Sequence, residues 1–364
     1  MVEQSESEIT YNLYRYRSSK TMNSDNSPSN REKSSNNKIL TVGIIGVGDV
    51  VNKAHLPLLL ALGEVSVSWV TDIDDRRAKQ VARKYRVKWL PMPSQLEELP
   101  HTDIVLLAIP YGAREPYYKV LRERESAIYV EKPVARSAAE HKQLNSQFPP
   151  SKFAVGFQSR SLGAVLLLKK MVEEEVFGRL TKVKLRHGNS ANVFSGKAFS
   201  SDTLLAGGGV LFERGIHGLD LALFISGAKS AKSYRVNTIL EKGFDVHAEG
   251  RVTLRNALSE FELDLKVSWL TEAGEGLTFF FDNAIVYMSI GNPEILLKSR
   301  DGKTLLSLTD TITLHPTTGF QSHGEFWRSF ITAIQNETEN YTSMSSYLLT
   351  TEVIEQIYAR GTEF

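Results

Sequence analysis

Cysteine is absent from the 364 residues of this chain. That excludes disulfides, thiolate metal sites and a cysteine nucleophile, and it removes the usual argument for secretion. An excess of one charge is also missing: 43 Lys and Arg face 42 Asp and Glu, for a formal net charge of +1. Bulk charge therefore makes no case for a nucleic-acid partner. No apolar run approaches the ~20 residues needed to span a bilayer. The opening MVEQSESEIT is acidic and polar, without the apolar core of a signal peptide. Together these absences predict a soluble cytoplasmic protein that engages neither nucleic acid nor membrane. Residues 18–37, SSKTMNSDNSPSNREKSSNN, contain almost nothing apolar, so burial there cannot offset the entropy of ordering. Residues 1–37 are expected to be a disordered tail, with YNLYRYR at 11–17 as its one sticky patch.

Order is predicted to begin at residue 38. Ile39–Ile45 is a near-continuous apolar run, as a strand covered on both faces requires. Further strands are predicted at Val65–Val70, Asp103–Ile109 and Ile128–Val130. Helical stretches separate them, at HLPLLLAL, Asp74–Tyr85 and Pro116–Arg124. This alternation predicts a parallel α/β domain over 38–150. Beyond Pro149-Pro150 come one more short strand, Phe153–Phe157, and a helix at Ala164–Val176. Long strand-like segments follow at Leu180–His187, Ser233–Leu240, His247–Leu254, Phe261–Trp269, Leu277–Phe281 and Ala284–Ser289, with AspGly hairpin chemistry at 301–302. A helix over Gly209–Ile225 interrupts them, and two helices, around 321–336 and 343–360, close the chain. The second domain, 151–364, is thus expected to carry an antiparallel sheet. Its open face is expected to be covered in a homodimer or homotetramer.

Two short stretches carry chemistry. In Gly46-Val47-Gly48-Asp49-Val50-Val51 two glycines sit between the first strand and its helix. Such a loop lets the backbone approach a pyrophosphate at a helix N-terminus, or it is merely a tight turn. Asp72, at the end of the second strand, stands where a ribose-binding acid is expected. The second stretch is Glu131-Lys132-Pro133, where the apolar strand Ile128–Val130 ends on an acid and a base. A lysine there is either a solvated loop residue or a ligand-facing charge at the carboxyl end of a sheet. Ser137, with Glu140 three residues on, predicts the next helix start.

The order GIIGVGDVVNKAHLP, AIP, EKP and GGGVLFERGIHGLDLALFISG resembles the Gfo/Idh/MocA oxidoreductases over about residues 39–364. The resemblance implies a Rossmann domain followed by an α+β domain with a large open antiparallel sheet. It implies NAD, with NADP possible, lying over Gly46, Gly48, Asp49 and Val50, near Asp72 and Pro110. The nicotinamide is then expected close to Glu131 and Lys132, and the Lys132-Pro133 peptide to be cis. Lys132 and His217 are the positions that would act on the substrate. The chain departs from the family pattern at Glu213, where aspartate is usual, at Arg114, where histidine is frequent, and at Arg214, usually apolar.

From the residues themselves, Glu213, His217 and Asp220 would share one face of a regular helix. Such a cluster is either a structural brace or a base with its orienting acid. In the second case His217 would take a proton with a pKa near neutrality, Glu213 would steady it, and Lys132 would stabilise a developing alkoxide. Arg160, Lys197 and Asp220 are the expected substrate contacts, with Arg160, Lys197 and Arg214 favouring an anionic ligand. No metal is expected. The expected function is hydride transfer between nicotinamide and a ring hydroxyl or ketone of a sugar, polyol, or phosphate- or nucleotide-linked sugar. The alternatives are reduction of a C=N or C=C bond, or a cofactor-binding homologue without turnover.

Overall fold

The computed structural model describes residues 38–188, 208–290, 295–298, 303–308, 319–360 and 362–363. The expected tail 1–37, Lys197 and the hairpin turn at 301–302 lie outside them.

Five short, apolar strands form a parallel sheet: β1 (Leu40–Ile45), β2 (Val65–Thr71), β3 (Ile104–Leu107), β4 (Ala127–Val130) and β5 (Phe153–Val155), in the order β2-β1-β3-β4-β5. β3 and β4 are buried at every position, the pattern of strands covered on both faces. The covering helices include α1 (Leu56–Ala61), α2 (Asp75–Tyr85), α3 (Glu115–Glu123) and α4 (Ala138–Gln147). Their starts follow local chemistry: Asp74 caps α2 at the Arg77 amide, and Ser137 caps α4 at the Glu140 amide. Strand order reverses between β1 and β3, so the crevice at their carboxyl ends is where such a sheet takes a ligand.

Helix α5 (Gly163–Glu173) leads into the second sheet, whose strands are β6 (Leu180–Gly188), β7 (Ser230–Glu241), β8 (Phe244–Arg255), β9 (Glu260–Ser268), β10 (Gly274–Phe281), β11 (Ile285–Met288), β12 (Ile295–Lys298), β13 (Thr304–Leu308) and β14 (Thr362–Glu363). They lie in the order β13-β12-β11-β10-β6-β9-β8-β7-β14. The sheet is mostly antiparallel, but β6 runs parallel to β9, and β14 to β7. β6 is the strand that precedes helix α6 (Ile216–Ser226), so the chain crosses over before β9 joins it, and a crossover delivers a parallel neighbour. Alternation sorts the faces. Val183, Leu185, Leu263, Leu265 and Val267 are buried. On the opposite face Lys182 and Arg186 pair with Asp264, and Lys266 with Glu249.

Of the two closing helices, α8 (Leu348–Arg360) packs on β7 of the second sheet, whereas α7 (Gly319–Asn336) turns back to the first. Phe326, Trp327, Phe330 and Ile331 of α7 share one core with β1 and α1, and Trp327 stacks on Tyr129 of β4 at 4.5 Å and 14°. The parallel sheet takes its fifth strand, β5, from beyond residue 150, and the first core draws on α7 as well.

Candidate active site

The two loop glycines are needed for different reasons. Gly46 has φ +89°, and a Cβ there would stand 2.4 Å from the Ala108 carbonyl oxygen after β3. The protein itself requires that glycine. A Cβ at Gly48 would meet nothing within 4 Å. The space over Gly48 is open, at the crevice where the strand order reverses, and Asp49 and Val50 beside it are exposed. A backbone left bare in this way fits an approaching pyrophosphate. The chain then makes a five-residue π-helical turn, Val51–His55, before α1, a local irregularity frequent at functional sites.

Asp72 is buried and tightly engaged. Its Oδ2 accepts from the Val47 amide at 2.8 Å, and its Oδ1 from the Asp74 amide at 2.9 Å and Arg77 Nη2 at 2.8 Å. Burial alone would raise its pKa, but these donors outweigh it and hold the carboxyl below its ordinary value. The carboxylate thus pins the glycine loop from beneath while marking the far end of β2.

At the end of β4 the Lys132-Pro133 peptide is cis. Arg114 braces this corner, donating to the Ile109 carbonyl at 3.1 Å and to the Pro133 carbonyl at 2.6 Å. It thereby ties the Ile109-Pro110 end of β3 to the segment carrying the lysine. Lys132 Nζ donates to the Glu213 carbonyl at 2.7 Å. Burial lowers its pKa, opposed by the charges of Glu131 and Glu213. Glu131 turns to His55: Nε2 of the imidazole lies 2.8 Å from Oε1. Burial would raise the Glu131 pKa, but the His55 hydrogen bond and the Lys132 charge bring it to about 2.

Glu213 and His217 arrive from the second domain. A π-helical turn, Leu211–Gly215, precedes α6. Asp245 anchors its entry by accepting from the Gly209 and Leu211 amides, each at 2.8 Å, and from the Tyr358 hydroxyl at 2.6 Å. Close approach here requires Gly209, since a Cβ would lie 2.1 Å from the Asp245 carbonyl oxygen. The wide turn also changes which residues share a face. Glu213 does not orient His217; its Oε2 accepts from Trp269 Nε1 at 2.9 Å. Oε1 has no protein partner among the described residues, and the side chain is 59% exposed. His217 is half-buried, with its ring edge-on to Phe157 at 6.2 Å and no hydrogen-bond partner among the described residues. Burial and the Lys132 charge push its pKa down to about 3, not to the near-neutral value expected of a base.

Two other expectations are corrected. Arg160 and Asp220 do not line the cleft. They form a buried pair, Nε–Oδ2 2.8 Å and Nη2–Oδ1 2.5 Å, which Ser346 and Thr350 complete. Arg160 is also sandwiched by Phe224 and Tyr347. With 2% and 1% exposure the two residues brace α6 against the α8 end of the chain and have no surface to offer a substrate. The structure also adds residues that the motifs left unassigned: His55, Trp327, Trp269, Asp245 and Gly156. Only His55 had a local signal, a histidine inside the apolar stretch AHLPLLL. Among the described residues no cluster of His, Asp and Glu could hold a metal ion, and no helix is long and apolar enough to cross a membrane.

Residues 40–149 match an oxidoreductase family with an NAD-binding Rossmann fold, and residues 165–289 match the GFO/IDH/MocA C-terminal domain. The chain belongs to the Gfo/Idh/MocA oxidoreductases. The chain spans about half the length of the curated relatives it matches. One is the D-glucoside 3-dehydrogenase of Escherichia coli (strain K12), 25% identical over 56% of this chain and 59% of that protein. Among solved structures it resembles KijD10, a 3-ketoreductase from Actinomadura kijaniata in complex with NADP and TDP-benzene. The TM-score is 0.75 at 14% identity, over 90% of this chain and 99% of that one. The UDP-N-acetylglucosamine 3-dehydrogenase GnnA from Acidithiobacillus ferrooxidans gives 0.71 at 17% identity, over 89% and 98%. At such identities the structural likeness speaks for the fold.

The Rossmann domain of this Gfo/Idh/MocA protein is thus an NAD-binding domain, and its loop makes two contrasting predictions. Gly46→Ala should destabilise the fold by about 1–3 kcal/mol, because it forces both a disfavoured φ and a collision. Gly48→Ala should leave the melting temperature near wild type and weaken cofactor binding by about tenfold or more, because its methyl would fill the open space expected to receive the cofactor. Thermal melts and cofactor titration of both variants separate the two roles; equal melting behaviour would remove the distinction. Asp72, the expected ribose-binding acid, carries a prediction about cofactor choice. Its ionised carboxylate already occupies Arg77, so a 2′-phosphate would approach a fixed negative charge with its nearest arginine in use. NAD⁺ should bind more tightly than NADP⁺, and dissociation constants showing the reverse order would overturn this.

Proposed function

We propose that this oxidoreductase transfers hydride between its nicotinamide cofactor and a ring hydroxyl or ketone of a sugar, polyol or sugar derivative. The observation that carries this reading is the meeting of Lys132, Glu213 and His217, drawn from two domains, at the carboxyl end of the parallel sheet. The cofactor supplies the redox chemistry when bound. The chain's own groups must manage a proton and hold hydroxyls. Lys132, fixed on a carbonyl and with its pKa lowered by burial, is the group suited to exchange that proton with the reacting oxygen. His217, neutral and without a hydrogen-bond partner among the described residues, supplies a second hydrogen bond to the same oxygen. Glu213 Oε1, steadied through Trp269 on the other oxygen, is an acceptor for a neighbouring hydroxyl. Groups of this kind select for hydroxyls, because an apolar ligand would leave them unpaired.

The pairing of Arg160 with Asp220 removes one of the bases on which an anionic preference rested. With a carboxylate at Glu213, we infer a neutral, hydroxyl-rich ring at the reacting position. The names of the glucoside and UDP-sugar dehydrogenases support the sugar class. The test is nicotinamide absorbance with purified protein across neutral glycosides, polyols, sugar phosphates and nucleotide sugars. Turnover confined to imines or apolar ketones would overturn the sugar reading, and a preference for sugars charged on the reacting ring would overturn its neutral form.

A further inference from the structure

Behind the reacting groups lies a buried polar chain with no part in the proton chemistry above. His55 has no exposed surface, and both ring nitrogens are engaged. Trp327 Nε1 donates to Nδ1 at 3.0 Å, and Nε2 lies 2.8 Å from Glu131 Oε1. An indole N–H can only donate. Nδ1 must therefore offer its lone pair, the ring proton sits on Nε2, and that proton is given to the carboxylate. Trp327 is itself held flat against Tyr129. On the remaining side Gly156 makes room, since a Cβ there would lie 2.8 Å from Oε1 and 2.9 Å from Oε2. Residues from the glycine-loop turn, the returning helix α7 and the end of β5 thus converge on one carboxylate.

That convergence holds only half of the group. Oε2 accepts no hydrogen bond from the described residues, is not among their sealed unpaired atoms, and belongs to a side chain that keeps 17% of its surface exposed. A carboxylate that is costly to bury, clamped by one oxygen and open at the other, is arranged to receive a donor. We propose that His55 is a positioning residue for the nicotinamide half of the cofactor: with its tautomer set by Trp327, it holds Oε1 of Glu131 and so presents Oε2 to a hydroxyl or amide donor of the bound dinucleotide. This rests on the reading that the nicotinamide end lies at Glu131-Lys132, across the crevice from the Gly48 and Asp72 end. α7 becomes a part of the cofactor site without touching the cofactor.

The test uses the full chain, no substrate, and two probes: NAD⁺ and ADP, which lacks the nicotinamide riboside. His55→Leu should weaken NAD⁺ binding about tenfold, the scale of one charge-assisted hydrogen bond, and change ADP binding less than twofold. His55→Gln, whose amide can still donate to Oε1, should recover most of the loss. Trp327→Phe keeps the stack but removes the donor that sets the tautomer, and should cost NAD⁺ a few-fold while sparing ADP. An equal loss of both probes would make the chain a structural brace, and no loss in any folded variant would equally overturn the proposal. If His55→Leu fails to fold, Trp327→Phe and Glu131→Gln carry the test with the same two probes. Because no sugar is present, failure to find a substrate would challenge the function proposed above and leave this result standing. Wild-type protein that bound NAD⁺ no better than ADP would overturn the placement of the nicotinamide half itself.

Discussion

Lys132→Met is expected to lower turnover by about 10²–10³, the scale for removing one preorganised charged group from a water-poor site, while cofactor affinity stays within a few-fold. Methionine keeps the apolar stem, so packing around the side chain is largely preserved. What is lost is the ammonium, fixed at 2.7 Å on the Glu213 carbonyl. The glycine loop and Asp72, proposed to carry the opposite end of the cofactor site, do not contact it. The variant should also lose a feature of the pH profile. Burial lowers the lysine's pKa from 10.5, so in ketone reduction the wild type should lose activity as pH rises through that lowered value and the ammonium is discharged. Steady-state kinetics with a reactive sugar, across pH, together with a direct NADH titration, decides the matter. Turnover within about threefold of wild type, or an alkaline limb that survives the substitution, would remove Lys132 from the chemistry.

Why Lys132 was legible in the sequence and other residues were not follows from how each signal is encoded. The parallel sheet is written locally: LTVGII and IVLL are apolar at nearly every position because both faces are covered. The glycine loop and Glu131-Lys132-Pro133 each occupy a few consecutive residues at strand ends, where a change from apolar to polar is visible. Arg160 and Asp220 lie 60 residues apart, and before pairing is known a buried ion pair and a substrate contact have the same composition. His55 and Trp327 are separated by 272 residues, so only the return of α7 to the first core brings them together. The face expected to join Glu213 to His217 failed for a geometric reason. Spacing arguments assume 3.6 residues per turn, and the π-helical turn at Leu211–Gly215 breaks that period. Glu213 therefore meets Trp269; Asp220 lies beyond that turn, in the same regular helix as His217, and is taken instead by Arg160.

His217 has an expected signature of its own. Its pKa, pushed to about 3 by burial and by the Lys132 charge, leaves the imidazole neutral throughout the working pH range. It should therefore contribute no limb to kcat/KM between about pH 5 and 8, and should act as a hydrogen-bonding group on the reacting oxygen. His217→Asn should lower turnover by roughly 10², again the scale of one preorganised partner, with the shape of the pH profile unchanged. The same shift makes a prediction about stability. In the unfolded chain this histidine binds a proton below about pH 6.5, whereas in the native state it stays neutral down to about pH 3. Between those values the unfolded state holds more protons. The native state therefore loses stability as pH falls from about 6.5 toward 3, and the full contribution is present only above the unfolded value. His217→Asn removes this proton-linked term, while His141, His187 and His247, also lowered by burial, remain in both proteins. The melting temperature of the variant should consequently fall less than that of wild type between about pH 7.5 and 5. Parallel melting curves for the two proteins over that range would mean that His217 is free to protonate in the native state. In that case a histidine limb in kcat/KM should appear near neutrality and disappear in the asparagine variant, restoring His217 as the proton-exchanging group in place of Lys132.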